Sequence, residues 1–198
     1  MRENELHSRY YTIAKVSPVM IIAFAAAFYF LEFRFLIAVA LAAAVHELGH
    51  ITALRLYGFV IGRVSIGAQG LCIDYSGAGS TCAHAVVAAA GPVTGFLLAR
   101  MASNAANLTG LAWFELLSGV SLTLTVFNIL PLLPLDGGRI ALAMLSVLVG
   151  DARAERVIAA MSYGAAVIIL IGGAVNFVRG GGVWLLAMGL WLSGCIFT

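Results

Sequence analysis

Long apolar runs, broken by short polar punctuation, dominate the chain. Six of them approach the roughly 20 residues that a helix needs to cross a bilayer. They fall at residues 18–31, 35–56, 83–102, 111–133, 157–177 and 183–197, the first being somewhat short. Residues 59–75, "FVIGRVSIGAQGLCIDY", break this pattern with β-branched residues on both sides of "GAQG". They predict two short strands and a turn between the second and third spans. Residues 137–150 are apolar and helical but too short to cross, so they are expected along an interface or under the bundle. No repeat, low-complexity tract or linker interrupts the pattern. The expectation is an all-α polytopic membrane protein: six transmembrane helices, a small membrane-associated β-hairpin, and one domain over residues 1–198.

Composition agrees with this reading. Of 198 residues, 62% are hydrophobic and 10% charged, with mean hydropathy +1.03. A soluble domain carries about a quarter charged residues. The net charge of +2 gives no pull toward nucleic acid. Cys72, Cys82 and Cys195 lack the C-x-x-C spacing of a thiolate metal site and read as small buried hydrophobes. The first apolar run follows a long polar lead and precedes further spans, so it is expected to be a retained anchor rather than a cleaved signal.

Basic residues set the orientation. With the N-terminus cytoplasmic, that side holds Arg2, Arg9, Lys15, Arg55, Arg63, Arg139, Arg153 and Arg156. The other holds Arg34, Arg100 and Arg179. Eight against three predicts both termini inside after six crossings. Trp113, Trp184 and Tyr57 fall at span ends, as interfacial aromatics do.

Within the second span lies "HELGH", residues 46–50. Residues four apart share a helix face, so His46 and His50 can hold one metal ion. Glu47, one position on, can reach a water beside the metal rather than the metal itself. Zinc lowers that water's pKa to about 7, within reach of a carboxylate base. Three ionisable groups in one span cost too much unless something compensates them, and a dication does so. A buried histidine–glutamate network without metal is the bland alternative. Catalytic zinc normally takes three protein ligands. Glu115 belongs near the outer surface. Asp136, at the inner end of the fourth span, belongs in the same half of the membrane as the histidines and is the expected third ligand. Around it, Pro131 and Pro134 stop a regular helix, and Gly137 and Gly138 permit unusual backbone angles. Broken backbone at membrane depth is tolerated only when buried in protein or lining water, so residues 128–138 are expected to form a strand-like or kinked wall beside the metal. Asn128 could hydrogen-bond a substrate backbone from that wall or bond between helices. Residues 59–75 could offer a strand edge to an extended peptide or form a plain loop.

"HELGH", "AAAGP" at 88–92 and "FNILPLLPLDGGR" at 127–139, in that order, resemble the site-2 proteases, the intramembrane zinc metalloproteases of peptidase family M50. The compact layout looks most like the sporulation subgroup, whose members activate a membrane-tethered sigma-factor precursor. The resemblance implies one zinc ion on His46, His50 and Asp136, Glu47 as catalytic base, and hydrolysis of a peptide bond in or near a substrate's membrane segment. Asn128, Pro131, Pro134, Gly91 and Pro92 are the expected substrate-binding residues. The expected partners are a membrane-tethered protein substrate, the lipid bilayer and membrane regulatory or inhibitor proteins, with no nucleic acid. The expected location is a bacterial cell membrane, with the active site toward the cytoplasm. Many members carry Asn three residues after the Gly-Pro pair, where this chain has Gly95. Gly91 and Pro92 would then simply kink the third helix and let it pack closely. The subgroup's C-terminal regulatory domain is not found before Thr198; a shortened chain and a minimal homologue each account for this.

Two rival readings differ in class. A metal transporter also places His and carboxylates in spans, but should display further ligands along a path, whereas His7 and His84 fall outside the cluster. An inactive substrate-holding relative has no need of Glu47.

Overall fold

The structure is a computed structural model and describes residues 15–16, 29, 31–67, 70–77 and 79–197. The expected first span, 18–31, lies almost wholly outside the described residues. Two compact units divide the chain, residues 1–127 and 128–198.

In the first unit, helix α1 (Phe33–Leu56) carries the histidine motif. Tyr57 and Gly58, the latter in the left-handed region at φ 73°, turn the chain into strand β2 (Val60–Gly67). Strand β3 (Gly70–Ser76) returns antiparallel, with Val60 opposite Ser76 and Gly67 opposite Gly70. A two-residue strand, β1 (Lys15–Val16), lies parallel beside β2. The expected hairpin is thus present. It packs on the helices through Phe59, Ile61, Ile73 and Tyr75, which meet Ala53, Leu54, Ala83 and Val87. Helix α2 (Thr81–Thr109) starts under a Ser80 cap, whose hydroxyl accepts from the Ala83 amide at 3.2 Å. It ends at Gly110 in the left-handed conformation. Helix α3 (Ala112–Ile129) follows. Its Leu117 packs with Ala38 and Ala102 in a second buried cluster.

The second unit holds helices α4 (Asp136–Val149), α5 (Asp151–Val178) and α6 (Trp184–Phe197). With 14 residues, α4 is about 21 Å long, short of the roughly 30 Å hydrocarbon core. Gly150, at φ 84°, alone separates it from α5. Where α5 and α6 touch, Cβ atoms at Gly173 and Gly189 would fall 2.6 and 2.8 Å from the partner backbone, so glycine sets their close approach.

Among the described residues, α1, α2, α3 and α5 are long and apolar enough to span a membrane. Two of them exceed their apolar runs: α2 extends through residue 109, and α5 starts at Asp151 rather than near 157. Helical hydrogen bonding continues past the apolar boundary where polar residues meet water. Helix α6 matches the position of the expected sixth span but has only 14 residues. The burial pattern is that of a membrane protein. Small residues such as Ala38, Ala42, Ala99 and Ala102 are buried, while Met101, Ile168 and Val178 face outward. That combination suits a lipid surround, where small residues let helices approach closely and large apolar ones lose nothing by exposure.

Candidate metal centre

Helical spacing brings His46 and His50 to one face of α1. Their Nε2 atoms are 3.2 Å apart, and the rings meet nearly edge-on, with centroids separated by 4.9 Å at 78°. His46 is 4% exposed; His50 is partly buried. The Nδ1 of His50 lies 2.8 Å from the Val87 carbonyl on α2. A carbonyl only accepts, so Nδ1 carries the proton and Nε2 presents its lone pair toward His46. This is the outer hydrogen bond that fixes a metal-binding imidazole in its tautomer.

The space around the two nitrogens comes from Gly91. A Cβ at that position would fall 2.2 Å from His50 Nε2 and 2.7 Å from His46 Nε2. No larger residue leaves room for both rings. The arrangement fits zinc. Two Zn–N bonds of about 2.0–2.1 Å at a tetrahedral angle separate their nitrogens by about 3.3 Å, against the 3.2 Å seen. Glu47 follows His46 on α1 and is half-buried.

Helix α1 meets α2 through a second notch. A Cβ at Gly49 would lie 2.4 Å from Thr94 Oγ1 and 2.6 Å from the Ala90 carbonyl. The Thr94 hydroxyl lies within donating distance of the carbonyls of Val45 (3.2 Å) and Gly91 (2.9 Å), tying the histidine helix to the glycine opposite it. Gly95 has a packing role. A Cβ there would be 2.5 Å from Thr125 Oγ1 on α3, and the Ser121 hydroxyl donates to the Gly95 carbonyl at 2.8 Å. At position 95 any side chain meets α3. Pro92 is buried within α2. Gly91 therefore does more than relax the helix, and the roles of Val87 beside His50, Thr94 beside Gly91 and Thr125 beside Gly95 escape sequence reasoning because none of these residues marks itself by spacing.

In the second unit, Asp136 opens α4 and is 7% exposed. Before it, α3 ends at Ile129 and the chain runs irregularly through residues 130–135, as the prolines predict. Pro131 is exposed and Pro134 half-buried in this break; Asn128 is half-buried in the last turn of α3. Gly137 and Gly138 correct the sequence reading. Neither has a positive φ. Both are needed for space: a Cβ would fall 2.0 Å from the Ile129 carbonyl oxygen at Gly137, and 2.5 Å from the Leu132 carbonyl carbon at Gly138.

Known proteins resemble the chain in both sequence and fold. Residues 100–172 match the model of Peptidase family M50, a stretch that includes Asp136. Two strains of Mycobacterium tuberculosis, Erdman and H37Rv, carry a "Putative zinc metalloprotease Rip3" that is 35% identical over 166 residues, covering 73% of this chain and 40% of that protein. The chain thus spans about 40% of the length of the curated relatives it matches. The solved site-2 protease from Methanocaldococcus jannaschii superposes with a TM-score of 0.73 at 20% identity, over 95% of this chain and 92% of that one. Over residues 100–172 the chain is thus similar in sequence to Peptidase family M50, and its fold is that of the solved site-2 protease.

Proposed function

We propose that this chain is an intramembrane zinc metalloprotease that cuts a membrane-tethered protein in or near its transmembrane segment. The observation that carries the reading is the pair of imidazole Nε2 atoms, 3.2 Å apart beneath Gly91, with Glu47 adjacent in sequence. On this reading His46 and His50 from α1 and the carboxylate of Asp136 from α4 would hold one ion, with a position left for water. Bound there, zinc supplies Lewis acidity, polarising a carbonyl and making water a stronger acid near neutral pH.

The chain's own groups do the rest. Glu47 takes a proton from the attacking water and delivers it to the leaving nitrogen. The Val87 carbonyl holds His50 in the ligating tautomer. Asn128, Pro131 and Pro134, in and beside the irregular stretch before Asp136, and Gly91 and Pro92, on α2, are the proposed substrate contacts. A transmembrane substrate hides its peptide bonds, so local unwinding precedes cleavage, and strand β3 offers an edge for the extended segment. The basic residues favour six crossings with both termini cytoplasmic and the site in that half of a bacterial cell membrane. Substrates of the sigma-factor-precursor class, in sporulation or another regulated intramembrane proteolysis, are the targets that the resemblance to the sporulation subgroup suggests. Regulatory or inhibitor proteins in the membrane would control access.

Incubation of the purified chain with tethered candidate substrates tests this, with and without a chelator, and with fragments identified by mass spectrometry. Cleavage that a chelator stops and zinc restores supports the reading. Cleavage that survives complete zinc removal contradicts it.

A further inference from the structure

The segment that delivers Asp136 is irregular, yet a metal ligand must be held to a fraction of an ångström. The structure shows what holds it. Ser162, on α5, is 1% exposed. Its hydroxyl accepts from the Leu133 amide at 2.9 Å and donates to the Ile158 carbonyl at 2.8 Å. One buried hydroxyl therefore ties the middle of the break to a long, regular helix. The amide it satisfies has no helical partner, because the chain there is neither helix nor strand.

From Leu133 the constraint passes to the ligand through backbone contact. The first turn of α4 rests on the peptide that joins Leu132 to Leu133. The position a Cβ would take at Gly138 lies 2.6 Å from the Leu132 carbonyl oxygen and 2.7 Å from the Leu133 nitrogen. Leu135 closes the turn by donating to the Leu132 carbonyl at 2.9 Å. Asp136 is thus bracketed by residues that lean on the one peptide Ser162 anchors.

We propose that Ser162 is a positioning residue for Asp136, fixing the carboxylate for metal binding without touching the metal. This inference rests on the reading of Asp136 as a zinc ligand. Removing the hydroxyl leaves the part-buried Leu133 amide without its acceptor, and the break then shifts to find another. Outer hydrogen bonds of this kind are typically worth 10–100-fold in metal affinity.

The test uses the full chain in detergent and measures zinc affinity by competition with a chromophoric chelator. Thermal unfolding of the zinc-stripped protein is measured alongside. Ser162→Ala is expected to weaken zinc binding about tenfold or more, and Ser162→Thr, which keeps the hydroxyl, to restore most of it. In an Asp136→Ala background, Ser162→Ala should weaken zinc binding no further, since the ligand it positions is gone. If Ser162→Ala gives no folded protein, Ser162→Cys, of similar volume but poorer acceptance, carries the same comparison. Wild-type zinc affinity in a folded Ser162→Ala or Ser162→Cys chain overturns the proposal, as does a fall in unfolding temperature alone. If Asp136→Ala itself binds zinc as tightly as the wild type, the ligand reading has failed, and the Ser162 proposal falls with it for that separate reason.

Discussion

Glu47 is the residue whose chemistry separates a protease from a metal-binding protein. On the proposed reading it follows a ligand but is not needed to hold the ion, so Glu47→Gln should keep zinc and lose cleavage by about 10²-fold or more. Zinc content by elemental analysis, paired with a fragment assay, checks this. A Gln variant that cleaves at the wild-type rate would remove Glu47 from the role of base. Gly91 makes the complementary case. Alanine is the better helix former by about 1 kcal/mol, yet its Cβ would enter the space of both Nε2 atoms. Gly91→Ala should therefore fold as well as the wild type and bind zinc much more weakly, which circular dichroism and metal competition can read side by side. The two residues differ in how visible they are in the sequence. Four-residue spacing announces His46 and His50, because a helix fixes which side chains are neighbours. Gly91 is about 40 residues further on, and its role arises only when α2 crosses α1. "AAAGP" read alone is a flexible stretch, and Gly95 read alone is a missing asparagine. Only the packing shows the first as a cradle for two imidazoles and the second as a seat for α3.

Among the elements, the break between α3 and α4 carries the most function for its length. Pro131 and Pro134 made the break itself legible, since neither can continue a helix. What the glycines do was not legible. At positions 137 and 138 ordinary helical geometry is combined with backbone from Ile129 and Leu132 too near for any side chain. Gly137→Ala would force a backbone shift, the costly kind of overpacking, at about 1–3 kcal/mol. A lower unfolding temperature, by several degrees, together with weakened zinc binding is the expected result. An alanine variant as stable as the wild type would show that the close approach is not fixed. The hairpin was readable from its β-branched residues and "GAQG", and the short α4 from its length. The extension of α5 back to Asp151 was not, because Asp151, Arg153, Glu155 and Arg156 mask the helix from a search for apolar runs.

On the scale of the whole molecule, hydrophobicity alone identified the class. Buried alanines and outward-facing large apolar side chains then show how such a chain packs where lipid replaces water. Four described helices can span a membrane, and α6 and the residues before α1 are where the expected count of six rests. The proposed site would join residues 46–50 to residue 136, and a pattern search finds the first part far more easily than the second, because a lone aspartate carries no spacing signal. Asp136 is proposed only by asking which carboxylate the topology returns to the same half of the membrane. Extended X-ray absorption at the zinc K-edge, on the purified full chain, addresses this joining most directly. The account predicts a single bound zinc with two imidazole nitrogens at about 2.0–2.1 Å, oxygen completing the shell and no sulfur, with the shell altered in Asp136→Ala. A shell containing thiolate sulfur near 2.3 Å, or one unchanged by loss of Asp136, would contradict it.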